Sequence, residues 1–78
     1  MSDVEQRVKA VVARTLGVDP GRVVDTAYFV RDLGASSIQS IELVAAFEEE
    51  FDIEMDEEAA LGVKSVGSAV EFIERLIK

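Results

Sequence analysis

The stretch Phe29-Val30-Arg31-Asp32-Leu33-Gly34-Ala35-Ser36-Ser37-Ile38-Gln39-Ser40-Ile41-Glu42-Leu43-Val44 passes from an irregular segment into a helix. Ser36-x-x-Gln39 has the form of a capping box, in which a hydroxyl and an amide side chain reciprocally satisfy the amides that open a helix. Ser36 is then the expected cap, and Ser37 falls in the first turn with its hydroxyl toward water. At 100° per residue, Leu43, Val44, Phe47 and Phe51 gather on one side of this helix and must face a core. Ile38, Ile41 and Ala45 fall on the largely opposite side, among Glu42, Glu48 and Glu49. An apolar strip rimmed by carboxylates resembles a docking surface, whereas packing beneath the preceding apolar segment would hide it. The expectation combines the two: Ile38 partly buried, Ile41 and Ala45 mostly exposed, and the three glutamates solvated and free to meet Arg or Lys.

Outward from this helix the chain punctuates itself. Ser2-x-x-Glu5 reads as a second capping box, followed by Val4, Val8, Val11, Val12 and Leu16 at helical spacing, with Gly17 as a stop. Residues 18–35 form a long connection in which Asp19 caps a single turn beginning at Pro20. Its Val23, Val24, Tyr28, Phe29, Val30 and Leu33 are expected to pin it across the helices, since long connections in compact domains are usually functional. A short helix from Glu57 to Leu61, capped by Asp56 and stopped by Gly62, comes next. Ser65 then caps a last helix carrying Val66, Ala69, Val70, Ile73, Leu76 and Ile77. The expected fold is all-α: a four-helix bundle with a long first loop and a short third helix, one domain over residues 1–78.

Composition narrows the function. The chain has no Cys and no His, so no disulfide and no metal site is expected, and helix packing alone must hold the fold. Without His, a Ser-His-Asp or Cys-His arrangement is impossible, and no Gly-rich phosphate loop is present. Asp52-x-Glu54-x-Asp56 faintly resembles a calcium loop but has Glu57 where that loop needs Gly and Val63 where it needs Glu. An enzyme is therefore disfavoured. A formal charge of −8 argues against nucleic acid and against anionic membrane surfaces. It favours basic protein partners, although solubility alone also accounts for it. The longest apolar run, Leu43 to Phe47, is far too short to span a membrane. The first residues show no basic region followed by an apolar stretch, so a cytoplasmic protein, monomeric, is expected.

The quoted stretch closely resembles the attachment segment of acyl carrier proteins, where Asp-Leu-Gly-Ala-Asp-Ser-Leu opens the second helix. Here the stretch is Asp32-Leu33-Gly34-Ala35-Ser36-Ser37-Ile38, and the family's later Glu-Glu-Glu-Phe appears as Glu48-Glu49-Glu50-Phe51. The resemblance implies that Ser37 receives 4′-phosphopantetheine from coenzyme A through a phosphopantetheinyl transferase. The arm's thiol then carries acyl groups as thioesters for fatty-acid, lipid or polyketide-type biosynthesis. It implies further partners, acyl-loading and acyl-processing enzymes with basic docking patches, reading a surface of Leu33, Gly34, Ser36, Ile38, Ile41, Glu42, Ala45, Glu48 and Glu49. Gly34 has two readings, a turn requirement and a close approach by the transferase. The chain departs from the family pattern at Ser36 for Asp, Ile38 for Leu, Gln39 at an often acidic position, Ala45 for a larger residue, and in the added charge of Arg31. These departures suggest a specialised member. A peptidyl or aminoacyl carrier is the alternative, disfavoured by Ala35 where those relatives more often have Gly. An unmodified helical adaptor is a further alternative, disfavoured by Ser37 itself.

Overall fold

The computed structural model describes residues 3–77, with the backbone alone for Glu57. Ser2 of the first expected capping box lies outside the described residues. The elements are helix α1 (Asp3–Leu16), a single 3-10 turn (Pro20–Arg22), helix α2 (Ser37–Phe51), helix α3 (Glu57–Leu61) and helix α4 (Val66–Ile77). This is the all-α, acyl-carrier-like arrangement the sequence predicts.

Each long helix owes its existence to one apolar stripe. Val8, Val11 and Val12 of α1, Leu43, Phe47 and Phe51 of α2, and Val66, Ala69, Val70 and Ile73 of α4 are buried. β-Branched valines are only moderate helix formers, so tertiary packing rather than propensity sustains α1. α1 packs against both α2 and α4. Phe47, Ile73, Val8, Val11, Val12 and Val66 are the largest fully buried side chains, and none of the described residues buried in the core is polar or charged. Leu76 and Ile77, which continue the α4 stripe in sequence, are each 44% exposed because the core ends before them.

The helix ends follow local chemistry. Gly17 takes φ +65 after α1, and the Val18 amide donates to the Ala13 carbonyl in a Schellman closure. Asp52 ends α2 in the left-handed region at φ 54, which Asp tolerates better than most residues. Asp56 caps α3 by accepting from the Ala59 amide at 2.7 Å. Ser65 and Ser68 form a reciprocal cap on α4: each hydroxyl accepts from the other's amide, at 3.2 and 3.0 Å.

The connection between α1 and α2 is structural, and half of its apolar residues do the pinning. Val23, Phe29 and Leu33 are buried, joined by Ala27 and Ala35, while Val24, Tyr28 and Val30 face outward. The backbone is stitched to the entry of α4. The Phe29 amide donates to the Lys64 carbonyl, Val66 to Ala27, and Gly67 to Asp25, around a bridge between Tyr28 and Ser65. A Cβ on Gly67 would lie 3.0 Å from the Asp25 carbonyl oxygen, so glycine permits this approach. At the far end of α2, Arg7 of α1 donates to the Glu50 carboxylate at 2.8 Å and to the Glu50 carbonyl at 2.6 Å. Its guanidinium also lies 4.5 Å from the Phe51 ring centre.

Phe47 is 1% exposed at the centre of this core. Phe47→Ala is expected to cost about 3–5 kcal/mol, a large part of the roughly 5–15 kcal/mol typical of a domain. Urea unfolding followed by circular dichroism should show a midpoint near zero denaturant or no cooperative transition. A midpoint close to that of the wild type would mean that Phe47 is not the centre of the packing.

Candidate functional site at the start of the second helix

The capping box predicted from Ser36 and Gln39 forms in full. The Gln39 amide donates to Ser36 Oγ at 3.1 Å, and the Ser36 amide donates to Gln39 Oε1 at 3.0 Å. Ser40 Oγ donates to the Ser36 carbonyl at 3.0 Å. Three of the four polar side chains at this helix start are therefore committed to the backbone. The exception is Ser37, first residue of α2, which is exposed and whose hydroxyl has no hydrogen-bond partner among the described residues. The first amides of a helix have no intrahelical partner and carry the positive end of its dipole. An anionic group on Ser37 would meet those amides. Gln39, at a position where the family often has an acid, thus has a structural reason to be there.

The approach to Ser37 is held by a small polar knot. Asp32 Oδ2 accepts from the Tyr28 amide at 2.8 Å, and the Asp32 and Leu33 amides donate to the Tyr28 carbonyl. Arg31 pairs with Asp32 at 3.2 Å and lies 4.2 Å from the Tyr28 ring centre. The Tyr28 amide first, and the Arg31 guanidinium second, hold the Asp32 carboxyl below its ordinary range. The charge that Arg31 adds upstream of Ser37 is thereby partly balanced. Gly34 takes φ +71 between the buried Leu33 and Ala35, and a Cβ there would meet nothing within 4 Å. Its requirement for glycine comes from the left-handed backbone.

The structure sorts the expected recognition residues. Ile38 and Ile41 are each 71% exposed, and Ala45, Glu42 and Glu49 are exposed beside them. The expectation that Ile38 is partly buried is corrected: the connection turns Val23, Phe29 and Leu33 into the core, and its outward-facing apolar residues leave Ile38 uncovered. Leu33 is also corrected, being buried at 6% exposure and so unable to offer its side chain to a partner. Glu48 is half-buried, and its carboxylate accepts from the Met55 amide at 2.9 Å, closing the link between α2 and α3. It is not free to meet Arg or Lys. Ser36 and Gly34 are exposed, the first already occupied as a cap.

Two features escaped the sequence reading. Leu61, at the end of α3, is 72% exposed and adds to the exposed apolar surface of the molecule. A five-residue helix is too short for periodicity to assign its faces. The second feature is a cavity of about 360 Å³ bounded by the connection, α2 and the segment through α3 to Lys64. Phe29, Leu43, Val44, Phe47, Met55 and Val63 are among its apolar lining residues. Ser40, one helical turn from Ser37, also lines it. No Lys or Arg lies between Arg31 and Lys64, a span holding more than half of the chain's sixteen acidic residues. The flank of the molecule around α2 and α3 is accordingly the acidic one.

Residues 6–73 match the family model described as the phosphopantetheine attachment site. The chain belongs to this family. Its prosthetic group is 4′-phosphopantetheine, covalently attached, and the unpartnered Ser37 hydroxyl beside open helix amides fits a phosphodiester. The carrier domain works with a phosphopantetheinyl transferase and with biosynthetic enzymes, as its family does. Among the described residues no helix is long and apolar enough to cross a membrane.

The Asp32 knot has a pH signature. A carboxyl held below its ordinary range stabilises the fold above that range, and the contribution is lost as pH falls through the lowered folded-state value. In Asp32→Asn the charge is gone at every pH. Urea midpoints should therefore favour the wild type near neutral pH, and the gap should close under acid conditions below the ordinary Asp range. A gap constant with pH would mean that the Asp32 charge contributes nothing.

Proposed function

We propose that Ser37 is the attachment residue and that the domain carries acyl intermediates, delivering them to partner enzymes of fatty-acid, lipid or polyketide-type synthesis in the cytoplasm. The observation that supports this reading best is the isolation of Ser37: at a helix start rich in polar side chains, only its hydroxyl is uncommitted. When bound, the arm supplies a thiol that holds the acyl group as a thioester. Ser37 anchors it, the amides at the start of α2 stabilise the phosphodiester charge, and the capping box keeps those amides in place. The protein acts as a carrier without catalytic residues of its own.

The apolar cavity supports an acyl cargo over an aminoacyl one. An arm that folds back past Ser40 would bring a short chain against Leu43, Val44, Phe47 and Met55. Ile38, Ile41 and Ala45, with Glu42 and Glu49, form the surface we assign to docking. Its chemistry fits enzymes presenting Lys or Arg around an apolar centre. The departures at Ser36, Ile38, Gln39 and Ala45 support a specialised carrier, because partners would read a slimmer strip with fewer charges at its start.

Incubation with coenzyme A, Mg²⁺ and a broad-specificity transferase should add one phosphopantetheine to the intact mass, and nothing to Ser37→Ala. No gain with several transferases would favour the unmodified adaptor. Loading assays with fatty-acid and amino-acid activating enzymes separate the acyl from the peptidyl carrier.

Acylation should also raise the melting temperature above that of the thiol form, with the gain growing over short chain lengths. Burial is worth up to about 0.8 kcal/mol per methylene, and a chain held only by the native state stabilises it. A melting temperature independent of chain length would place the chain in solvent.

A further inference from the structure

The residues that line the cavity beside α2 separate by exposure. Phe29, Leu43, Phe47 and Met55 are buried and lie at its floor. Tyr28, Val30, Arg31, Leu61 and Lys64 are exposed and mark its mouth. Burial favours an apolar chain on the floor. An arm rooted outside, at Ser37, reaches that floor only across the mouth. The end of the chain that joins the arm, and the reactive bond there, is then held among the mouth residues.

Among the described residues Lys64 brings the only side-chain amine to that mouth. Its backbone is anchored, because its carbonyl accepts from the Phe29 amide at 3.0 Å and the next residue, Ser65, bridges to Tyr28. Its side chain is not: the amine has no ion pair or hydrogen bond among the described residues. Arg31, the other cation at the mouth, is paired with Asp32, and a guanidinium does not lose its proton in proteins. Lys9 is the contrasting lysine. Glu5 at 3.0 Å, the larger influence, and Asp25 at 3.3 Å hold it as an ammonium and raise its pKa above the ordinary lysine value. Lys64 is thus a nucleophile left uncommitted where a seated chain would bring its reactive end.

We propose that Lys64 is a self-acylation site: with the cargo chain on the cavity floor, the Lys64 amine takes the acyl group from the thioester held at the mouth. The nitrogen–carbon bond of an amide forms as the carbon–sulfur bond of the thioester breaks. The amine gives up one proton and the leaving thiolate takes one up. The arm returns as a free thiol, and no other reactant is consumed. This rests on the carrier reading and adds a fate for cargo that no partner enzyme collects. The tether supplies the rate. An arm on the same domain presents its thioester at an effective concentration in the millimolar range. That offsets the small neutral fraction of lysine amines near neutral pH.

Hydroxylamine tests this, because it removes acyl groups held as thioesters and leaves amides intact. The full chain is loaded from octanoyl coenzyme A by a broad-specificity transferase, and intact mass confirms loading. After incubation at mildly alkaline pH and hydroxylamine treatment, one retained octanoyl group is expected on protein whose arm is a free thiol. Peptide mapping should place most of it on Lys64 rather than on Lys9 or Lys78. It should form at a rate unchanged by dilution, as an intramolecular step does. Lys64→Arg keeps the charge and the backbone bond to Phe29, and should lose most of the retained acyl. An acetyl cargo, too short to lie on the floor, should lose the preference for Lys64. Retained acyl spread evenly over the lysines overturns the proposal, as does a rate that rises with protein concentration. Absence of retained acyl overturns it too, as does an equal preference with acetyl, since the cavity would then play no part. Failure to load is a failure of the carrier reading, seen in the intact mass before the incubation begins.

Discussion

The structure depends on a dry seam between α1, α2 and α4. A chain with no cysteine and no histidine has neither disulfide nor histidine-bound metal to lean on, and its described core contains no polar or charged side chain. Val8, Val11, Val12, Phe47, Val66 and Ile73 must exclude water together, because burial is the dominant favourable term available. Every other feature follows from keeping that seam closed. Arg7 fastens α1 to the end of α2, and the serines at Ser65 and Ser68 fix where α4 begins. Charged groups are pushed to the surface, where the acids between Arg31 and Lys64 crowd one flank.

The connection between α1 and α2 extends the seam. Val23, Ala27, Phe29, Leu33 and Ala35 face inward, and its backbone bonds to the entry of α4. Alternation along this segment leaves Tyr28 and Val30 outside, where they wall a cavity instead of filling the core. The turn at Gly34 then delivers the chain to Ser36 at the angle a cap requires. A segment without regular structure thus positions the start of α2 as firmly as a helix would.

At that start, structural and functional demands are divided among adjacent residues of similar chemistry. Ser36, Gln39 and Ser40 satisfy backbone groups. Ser37 satisfies none, and so remains available for modification. α2 itself is divided lengthwise, with Leu43, Phe47 and Phe51 in the core and Ile38, Ile41 and Ala45 in solvent. That second apolar face is exposed and outside the core, which is the ground for proposing it as a docking surface.

The four helices, the caps that open α2, α3 and α4 and the position of Ser37 were legible in the sequence because each is written in short-range chemistry: the Ser36-x-x-Gln39 box, the Asp19 and Asp56 caps, Ser65, Gly17, and apolar spacing at the helical period. Caps act over three residues and stripes over a few turns, so a local pattern determines them. What only the tertiary structure decided lies where distant segments meet. Sequence could not tell that Ile38 is left bare, that Leu33 turns inward, or that Glu48 spends its carboxylate on Met55. Nor could it bring Arg31 and Lys64 to the edge of one cavity. Those outcomes depend on which side of the connection faces the seam and how it pairs with the entry to α4, and a pattern along the chain carries no record of contacts across it.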